Sequence, residues 1–273
     1  MLKDITLGQY FPGESFLHRR DPRIKIIATV LYVVAVFLCD NLWSYVALVA
    51  ITLFLMAVSR VPLRVYFKGL KPLIFILLFT TVYHVFFHDG KTLLADLGVA
   101  EIYAEGLIFA VVMAVRIIAL LIGASVMLTY TTSPILLTDG LERLLSPLKV
   151  LHLPVHEFAM MMTIALRFIP TLVEETDKIM SAQKARGADF ASGGLIRRAK
   201  ALIPVLIPLF ISAFRRAGDL AVAMECRCYR GGSGRTRMTK LMLTAGDFVL
   251  LLLVTGLGTA ILLLNRFVPG MTI

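Results

Sequence analysis

The feature that most constrains this chain is a set of apolar runs about as long as a bilayer is thick, joined by connections whose charge alternates in sign. A hydrocarbon core about 30 Å thick takes roughly 20 helical residues. Five runs are of that order: 24–39, 42–58, 70–87, 107–128 and 248–264. Only Asp40 and Asn41 separate the first two, which therefore read as a helical hairpin, and Asp247 reads as the N-cap of the last. Composition agrees: 58% of the 273 residues are apolar or aromatic, 17% are charged, and the mean hydropathy is +0.84. That mixture excludes a soluble globular protein, a disordered chain and a disulfide scaffold. The 28 basic residues against 18 acidic ones leave a net charge of +10, which points to a multi-pass membrane protein with cationic cytoplasmic parts rather than to a nucleic-acid binder.

The connections carry the orientation. Lys and Arg collect on the cytoplasmic side of each crossing. Lys3, Arg19, Arg20 and Arg23 precede the first run and Lys25 stands at its start, while Arg60, Arg64 and Lys68 lie between the second and third runs and Lys71 at the start of the third, with no acid among them. The next connection sets Lys91 against Asp89, Asp96, Glu101 and Glu105, so it faces out. The N-terminus is thus expected inside and the C-terminus outside, with 129–246 in the cytoplasm. The first apolar run is not followed by a small-residue cleavage site, so insertion is expected to use the first spanning helix itself. Cys39, Cys226 and Cys228 are too few for a disulfide framework and are expected to be reduced.

Within 129–246 the strongest apolar stretch is 201–214. At 14 residues it is short for a span, it contains Pro204 and Pro208, and Arg197, Arg198, Lys200, Arg215 and Arg216 flank it on both sides. Cations at both ends would put one cluster on the wrong face, so the stretch reads as buried against other helices or lying at the interface. In 134–154, Leu137, Leu141, Leu144, Leu145 and Leu148 recur at spacings of three and four, the stripe of an amphipathic helix. Residues 155–185 and about 197–224 read as two further long helices, with Pro170 a kink in the first. The fold expected is an all-α integral membrane protein: a four-helix membrane domain (1–129), a cytoplasmic part with three long helices (130–246) and a C-terminal spanning helix (247–273).

The two longest of these helices stop on similar strings, Ala185-Arg186-Gly187 and Cys226-Arg227-Cys228, each with one Arg between two small residues. Small neighbours let another backbone approach, and a guanidinium offers a planar fork to a carboxylate, which suits a protein docking point. Either Arg alone reads equally as a solvated cation complementing a helix C-terminus. Arg116, in the middle of the fourth run, either faces a partner or packs against Tyr, Thr or backbone acceptors of neighbouring helices; without an intramembrane acid for a proton relay, packing is the preferred reading. His84 and His88 share a helical face, with Asp89 the only third ligand near, and read as interfacial anchors rather than a metal pair. Cys226 and Cys228, about 200° apart on a helix, cannot share a zinc. Asp21-Pro22 reads as N-cap and first-turn pair of the first helix, with Arg23 and Lys25 at the lipid headgroups. Met160, Met161 and Met162 fit a core or an adaptable partner surface equally well.

Together these strings resemble the T component of the energy-coupling factor (ECF) transporters. The likeness is carried by Ser15-Phe-Leu-His-Arg-Arg-Asp-Pro-Arg-Ile-Lys25, Leu128-Thr-Tyr-Thr-Thr-Ser-Pro134, Ala165-Leu-Arg-Phe-Ile-Pro-Thr-Leu172 and the two X-Arg-X strings. The usual form of both in that family is Ala-Arg-Gly, so Cys226-Arg227-Cys228 departs at both flanks while keeping them small. The resemblance implies five membrane helices plus three cytoplasmic coupling helices. It also implies two cytosolic ATP-binding-cassette ATPases docked on Arg186 and Arg227, and a membrane substrate-binding S component on the coupling helices, where Met160, Met161, Met162, Pro204 and Pro208 are the candidate contacts. ATP and Mg would be bound by the ATPases, and this chain, in a bacterial-type cell membrane, would hold no cofactor, metal or nucleic acid.

Independently of that likeness, the residues show no phosphate loop, no His-Glu-x-x-His, no nucleophile elbow and no paired carboxylates inside a span, so an enzyme is not expected. The competing reading is a self-sufficient secondary carrier or channel. Carriers usually need broken helices around a polar midplane site, which this sequence does not clearly offer.

Overall fold

A computed structural model describes residues 10–87, 92–96, 101–151, 153–190, 194–231 and 241–267; Lys3, His88, Asp89 and Lys91 lie outside the described residues. The helices are α1 (Pro22–Phe37), α2 (Leu42–Ser59), α3 (Leu63–Leu70), α4 (Ile74–Phe87), α5 (Ala104–Ala124), α6 (Pro134–Leu144), α7 (Val155–Ala185), α8 (Leu195–Cys226) and α9 (Ala245–Phe267). A small antiparallel ribbon, β1 (Leu93–Asp96) with β2 (Glu101–Tyr103), occupies the acidic connection, for which patterning alone predicts only a loop. The helices form two compact units, one built from α1–α6 and α9, the other from α7, α8 and the 3-10 turn Ser146–Leu151.

Five helical stretches among the described residues are long and apolar enough to cross a membrane: Leu42–Ser59, Leu63–Phe87, Ala104–Tyr130, Ile196–Cys226 and Ala245–Phe267. The fold is an all-α, multi-pass membrane architecture. Two lengths differ from the sequence reading. Helix α1, at 16 residues, is shorter than these five. The 14-residue run at 201–214 is embedded in a 32-residue helix, because neither Pro204 nor Pro208 breaks it. Length therefore does not exclude α8 from a span; the flanking cations remain the argument against it.

In the first unit α1 packs on α9, α5 and α6, α2 packs on α5 and α9, and α4 leans on α5. The core lies where α1, α2, α5 and α9 meet, around Ala28, Tyr32, Val36, Leu48, Leu55, Met127, Val254 and Ile261. A phenol can lie there because its hydroxyl is satisfied: Tyr32 shares a 2.7 Å hydrogen bond with Thr52 and donates to the Ala119 carbonyl at 2.9 Å, joining three helices. Gly123 makes room for that ring, since a Cβ there would overlap the Tyr32 phenol. At the end of the bundle where α1 turns into α2, Asn265 of α9 donates to the Leu38 carbonyl at 2.6 Å and accepts from Ser44 at 2.7 Å.

Helix α6 corrects the leucine-stripe reading. It ends at Leu144, a 3-10 turn comes next, and the residues it buries are Thr138, Gly140 and Glu142. Gly140 lies on Pro22, where a Cβ would come within 2.9 Å of the ring. Leu141 is exposed, with Ile135 and Leu136 beside it. Leu137 and Leu144 are half-buried, so the apolar side of α6 is only partly covered, and close backbone approach through glycine brings the helix onto α1.

Gly123→Ala should drive the Tyr32 ring from its two hydrogen bonds and cost about 1–3 kcal/mol by overpacking. Thermal unfolding of the detergent-solubilised chain measures it, and an unchanged midpoint would contradict the packing described.

Candidate docking site

Helices α7 and α8 run antiparallel, held by Arg216 donating to Glu175 at 2.9 Å and Gln183 donating to the Pro204 carbonyl at 3.4 Å. The second contact has a backbone origin. Pro208 has no N–H, so the carbonyl four residues back, that of Pro204, loses its helical donor. The Gln183 side chain supplies a replacement, which helps the proline-bearing helix stay continuous. The Glu175 carboxyl is held below its ordinary pKa first by a hydrogen bond from Ser212, then by the Arg216 and Lys178 charges.

Each helix ends in the same cap. In α7, Gly187 donates to the Lys184 carbonyl at 3.0 Å and Ala188 to that of Gln183 at 3.0 Å. In α8, Cys228 donates to Glu225 at 2.8 Å and Tyr229 to Met224 at 3.0 Å. Both are Schellman motifs, with Arg186 and Arg227 at the C-cap and the next residue in the left-handed region, Gly187 at φ 88° and Cys228 at φ 56°. The third residue of each string is thus chosen by backbone conformation as well as by size. Glycine adopts it freely, whereas Cys228 carries a Cβ penalty.

All six residues Ala185, Arg186, Gly187, Cys226, Arg227 and Cys228 are exposed. Neither guanidinium has an ion-pair partner among the described residues. Because the helices are antiparallel, the two caps lie at opposite ends of the pair, separated by roughly 35 Å at 1.5 Å per residue. An exposed apolar strip runs along α8 through Ile203, Ile207, Phe210 and Phe214, the last 75% exposed. Pro204 and Pro208 are exposed on the same helix. On α7, Met161 is 58% exposed, Met162 is exposed and Met160 is half-buried, so the methionines do not form a closed core.

Arg116 donates to the Cys39 carbonyl at 2.5 Å and lies over the Tyr45 ring, while its Nε finds no acceptor among the described residues. His84 stacks edge-on against Phe109. Among the described residues no three His, Cys, Asp or Glu side chains gather as a metal site.

The entry string 15–25 does more than the sequence reading assigns to it. Asp21 caps α1 by accepting from the Arg23 N–H and is gripped by the Arg23 guanidinium at 2.9 and 3.1 Å. Asp247 is not the N-cap of α9: it is the third helical residue, reaching back to accept from the N–H and hydroxyl of Thr244 at 2.7 and 2.8 Å, the carboxylate half of a capping box. Its other oxygen accepts from the Asp21 N–H at 2.9 Å. Arg20 donates to the Thr244 hydroxyl at 2.7 Å, and its guanidinium passes over Gly246, where a Cβ would meet it. Lys25 is not at the headgroups: it is 1% exposed and donates to Thr131 and Thr132. The available signal is the acid-base alternation of 20–25, which a reading of charge as surface passes over.

The model of the CbiQ family, described as cobalt transport protein, matches residues 13–239. A protein of Clostridium kluyveri named energy-coupling factor transporter transmembrane protein EcfT is 54% identical over 250 residues, covering 91% of this chain and 92% of that one. Proteins of the same name from Ruminiclostridium cellulolyticum and Bacillus subtilis are 54% and 49% identical, covering 94% and 90% of this chain and 94% and 93% of theirs. The chain belongs to the EcfT/CbiQ family. It is the transmembrane energy-coupling subunit of an ECF transporter and catalyses nothing itself. EcfT/CbiQ proteins function in complexes with ATPases and S components.

The caps make a direct prediction. Cys228→Gly should stabilise the last turn of α8 and Gly187→Ala destabilise that of α7, each by about 1 kcal/mol. Hydrogen exchange at residues 224–229 and 183–188 should slow and quicken respectively; no change at either end would refute the left-handed assignment.

Proposed function

We propose that Arg186 and Arg227 are the two points at which cytosolic ATP-binding-cassette ATPases dock, one on each cap, and that α6, α7 and α8 carry ATPase motion to a membrane S component that binds a vitamin or a transition metal. What supports this most directly is the repetition: two separate long helices end in the same exposed C-cap Arg, without an ion pair among the described residues. A solvated cation would not need its neighbours small twice over. ATP and Mg belong to the ATPases. The S component would lie on the exposed apolar strip of α8, over Pro204 and Pro208, with Met160, Met161 and Met162 as the adaptable part of the contact. In this reading residues 1–129 and 247–273 form the membrane domain, and 130–246 the coupling part.

The orientation proposed has the N-terminus in the cytoplasm and the C-terminus outside, in a bacterial-type cell membrane. Helices α1, α2, α3–α4, α5 and α9 cross, and α8 does not, because its basic residues at 197, 198, 200, 215 and 216 lie on both sides of its apolar run.

Loss of an Arg from a carboxylate-lined groove costs about 2–5 kcal/mol of association. Arg186→Ala with Arg227→Ala should therefore leave an inserted chain that no longer co-purifies its ATPases; retention at the wild-type level would sink the docking reading. For orientation, Cys226 and Cys228 should react with an impermeant maleimide only from the cytoplasmic face in the chain purified without ATPases, and a Thr92→Cys variant only from the outer face. The opposite labelling would reverse the proposed topology.

A further inference from the structure

Helix α5 does not end as an α-helix. Its continuation, Ser125–Tyr130, forms a π-helical turn, a wider coil that arises where one residue is inserted into an α-helical ladder and that is frequent at functional sites. The carbonyls at this turn are taken up by the two threonines after it. Thr131 donates its hydroxyl to Val126 and Met127 at 2.9 and 3.0 Å, and Thr132 donates to Met127 at 3.5 Å.

Lys25 of α1 closes the arrangement. Its ammonium has three donors, and three oxygens receive them: the Thr131 carbonyl at 2.9 Å, the Thr131 hydroxyl at 3.4 Å and the Thr132 hydroxyl at 3.0 Å. No carboxylate lies in ion-pair range of it among the described residues. A lysine buried to 1% exposure without a carboxylate contact is an expensive way to fill space that a methionine could fill. What it does that a methionine cannot is hold the oxygens at a helix C-terminus, at the turn where α5 gives way to α6. Past its midpoint, α6 is fixed to α1 a second time by Gly140 on Pro22.

We propose that Lys25 is a positioning residue of energy coupling: by latching the π-helical end of α5, and with it the Thr131–Thr132 step into α6, to α1, it sets the direction in which α6 leaves the membrane helices. Reversion of the turn to α-helix would shift the hydrogen-bond register beyond it by one residue and rotate the chain there by about 100°. The latch prevents that, so motion entering through α6 reaches the bundle rather than being absorbed at the turn. The inference rests on the reading of α6–α8 as coupling helices.

The test uses the assembled complex, with its ATPases and a riboflavin-binding S component, in proteoliposomes with tritiated riboflavin as the probe. Lys25→Met should retain ATPase co-purification and ATP hydrolysis within about twofold of the parent, while uptake falls at least about tenfold, so that ATP spent per riboflavin moved rises by the same factor. Thr132→Val should raise that ratio by about threefold, and the double variant should be no worse than Lys25→Met alone, as expected for groups acting through one contact. Uptake unchanged in Lys25→Met overturns the proposal. So does a parallel fall of assembly, hydrolysis and uptake, which marks a purely structural residue. Should Lys25→Met fail to insert, Thr132→Val carries the test alone, and an unchanged ratio there overturns it. Failure of the docking reading is seen separately, as ATPases retained by the Arg186→Ala, Arg227→Ala chain.

Discussion

Burying an ionisable side chain in an apolar bundle forces every surrounding element to take a position that satisfies it, and the two most deeply buried among the described residues are Lys25 and Asp247, each 1% exposed. Lys25 gives all three protons to the residues after α5, and Asp247 receives from Thr244 and from the backbone at the head of α1. Each is nearly inaccessible to water, so losing one partner would strand the other in a medium that cannot solvate it. The heads of α1 and α9 and the tail of α5 are therefore registered by directional bonds, which apolar packing alone would leave free to slide. The string from Ser15 to Lys25 becomes intelligible on this basis: Asp21 caps, Pro22 starts the helix and lies against Gly140, Arg20 and Arg23 brace the two aspartates, and Lys25 reaches across.

The other parts proposed to act in docking and coupling are helix ends and helix surfaces. A rod transmits displacement only if it does not break, and α7 and α8 run for 31 and 32 residues despite carrying three prolines between them. At one of these, the bond from Gln183 to the Pro204 carbonyl replaces what the missing N–H of Pro208 takes away. The Schellman caps then end each rod sharply and leave an arginine at the tip. Cys228 performs there, at some conformational cost, what Gly187 performs freely.

Much of this is legible in the residues alone. Sequence pattern gives the bounds of α7 without error and those of α8 to within two residues, because long helices with a steady apolar period announce themselves locally. The hairpin of α1 and α2 comes from a two-residue gap, and the interest of Arg186 and Arg227 from a repeated string. The errors share a cause. Pattern places Lys25 at the headgroups and Asp247 at a cap because charge near the end of an apolar run is ordinarily solvated, and it carries the leucine stripe of α6 on to Leu148 because a 3-10 turn continues nearly the same spacing. It credits the third residue of each docking string with smallness alone, since no residue type announces a positive φ by itself.

The sequence by itself determined a multi-pass helical membrane protein with two long helices that each end on an arginine, because hydrophobic length, charge asymmetry and helical period are properties of neighbours along the chain. Only the tertiary structure decided which charges are buried, that α6 approaches α1 through Gly140 and leaves apolar side chains open, and that α5 ends in a π-turn held by a lysine 106 residues before Thr131. Those outcomes depend on which distant groups arrive to satisfy a donor or fill a gap, and residues 106 and 107 positions apart share nothing that a local pattern can record.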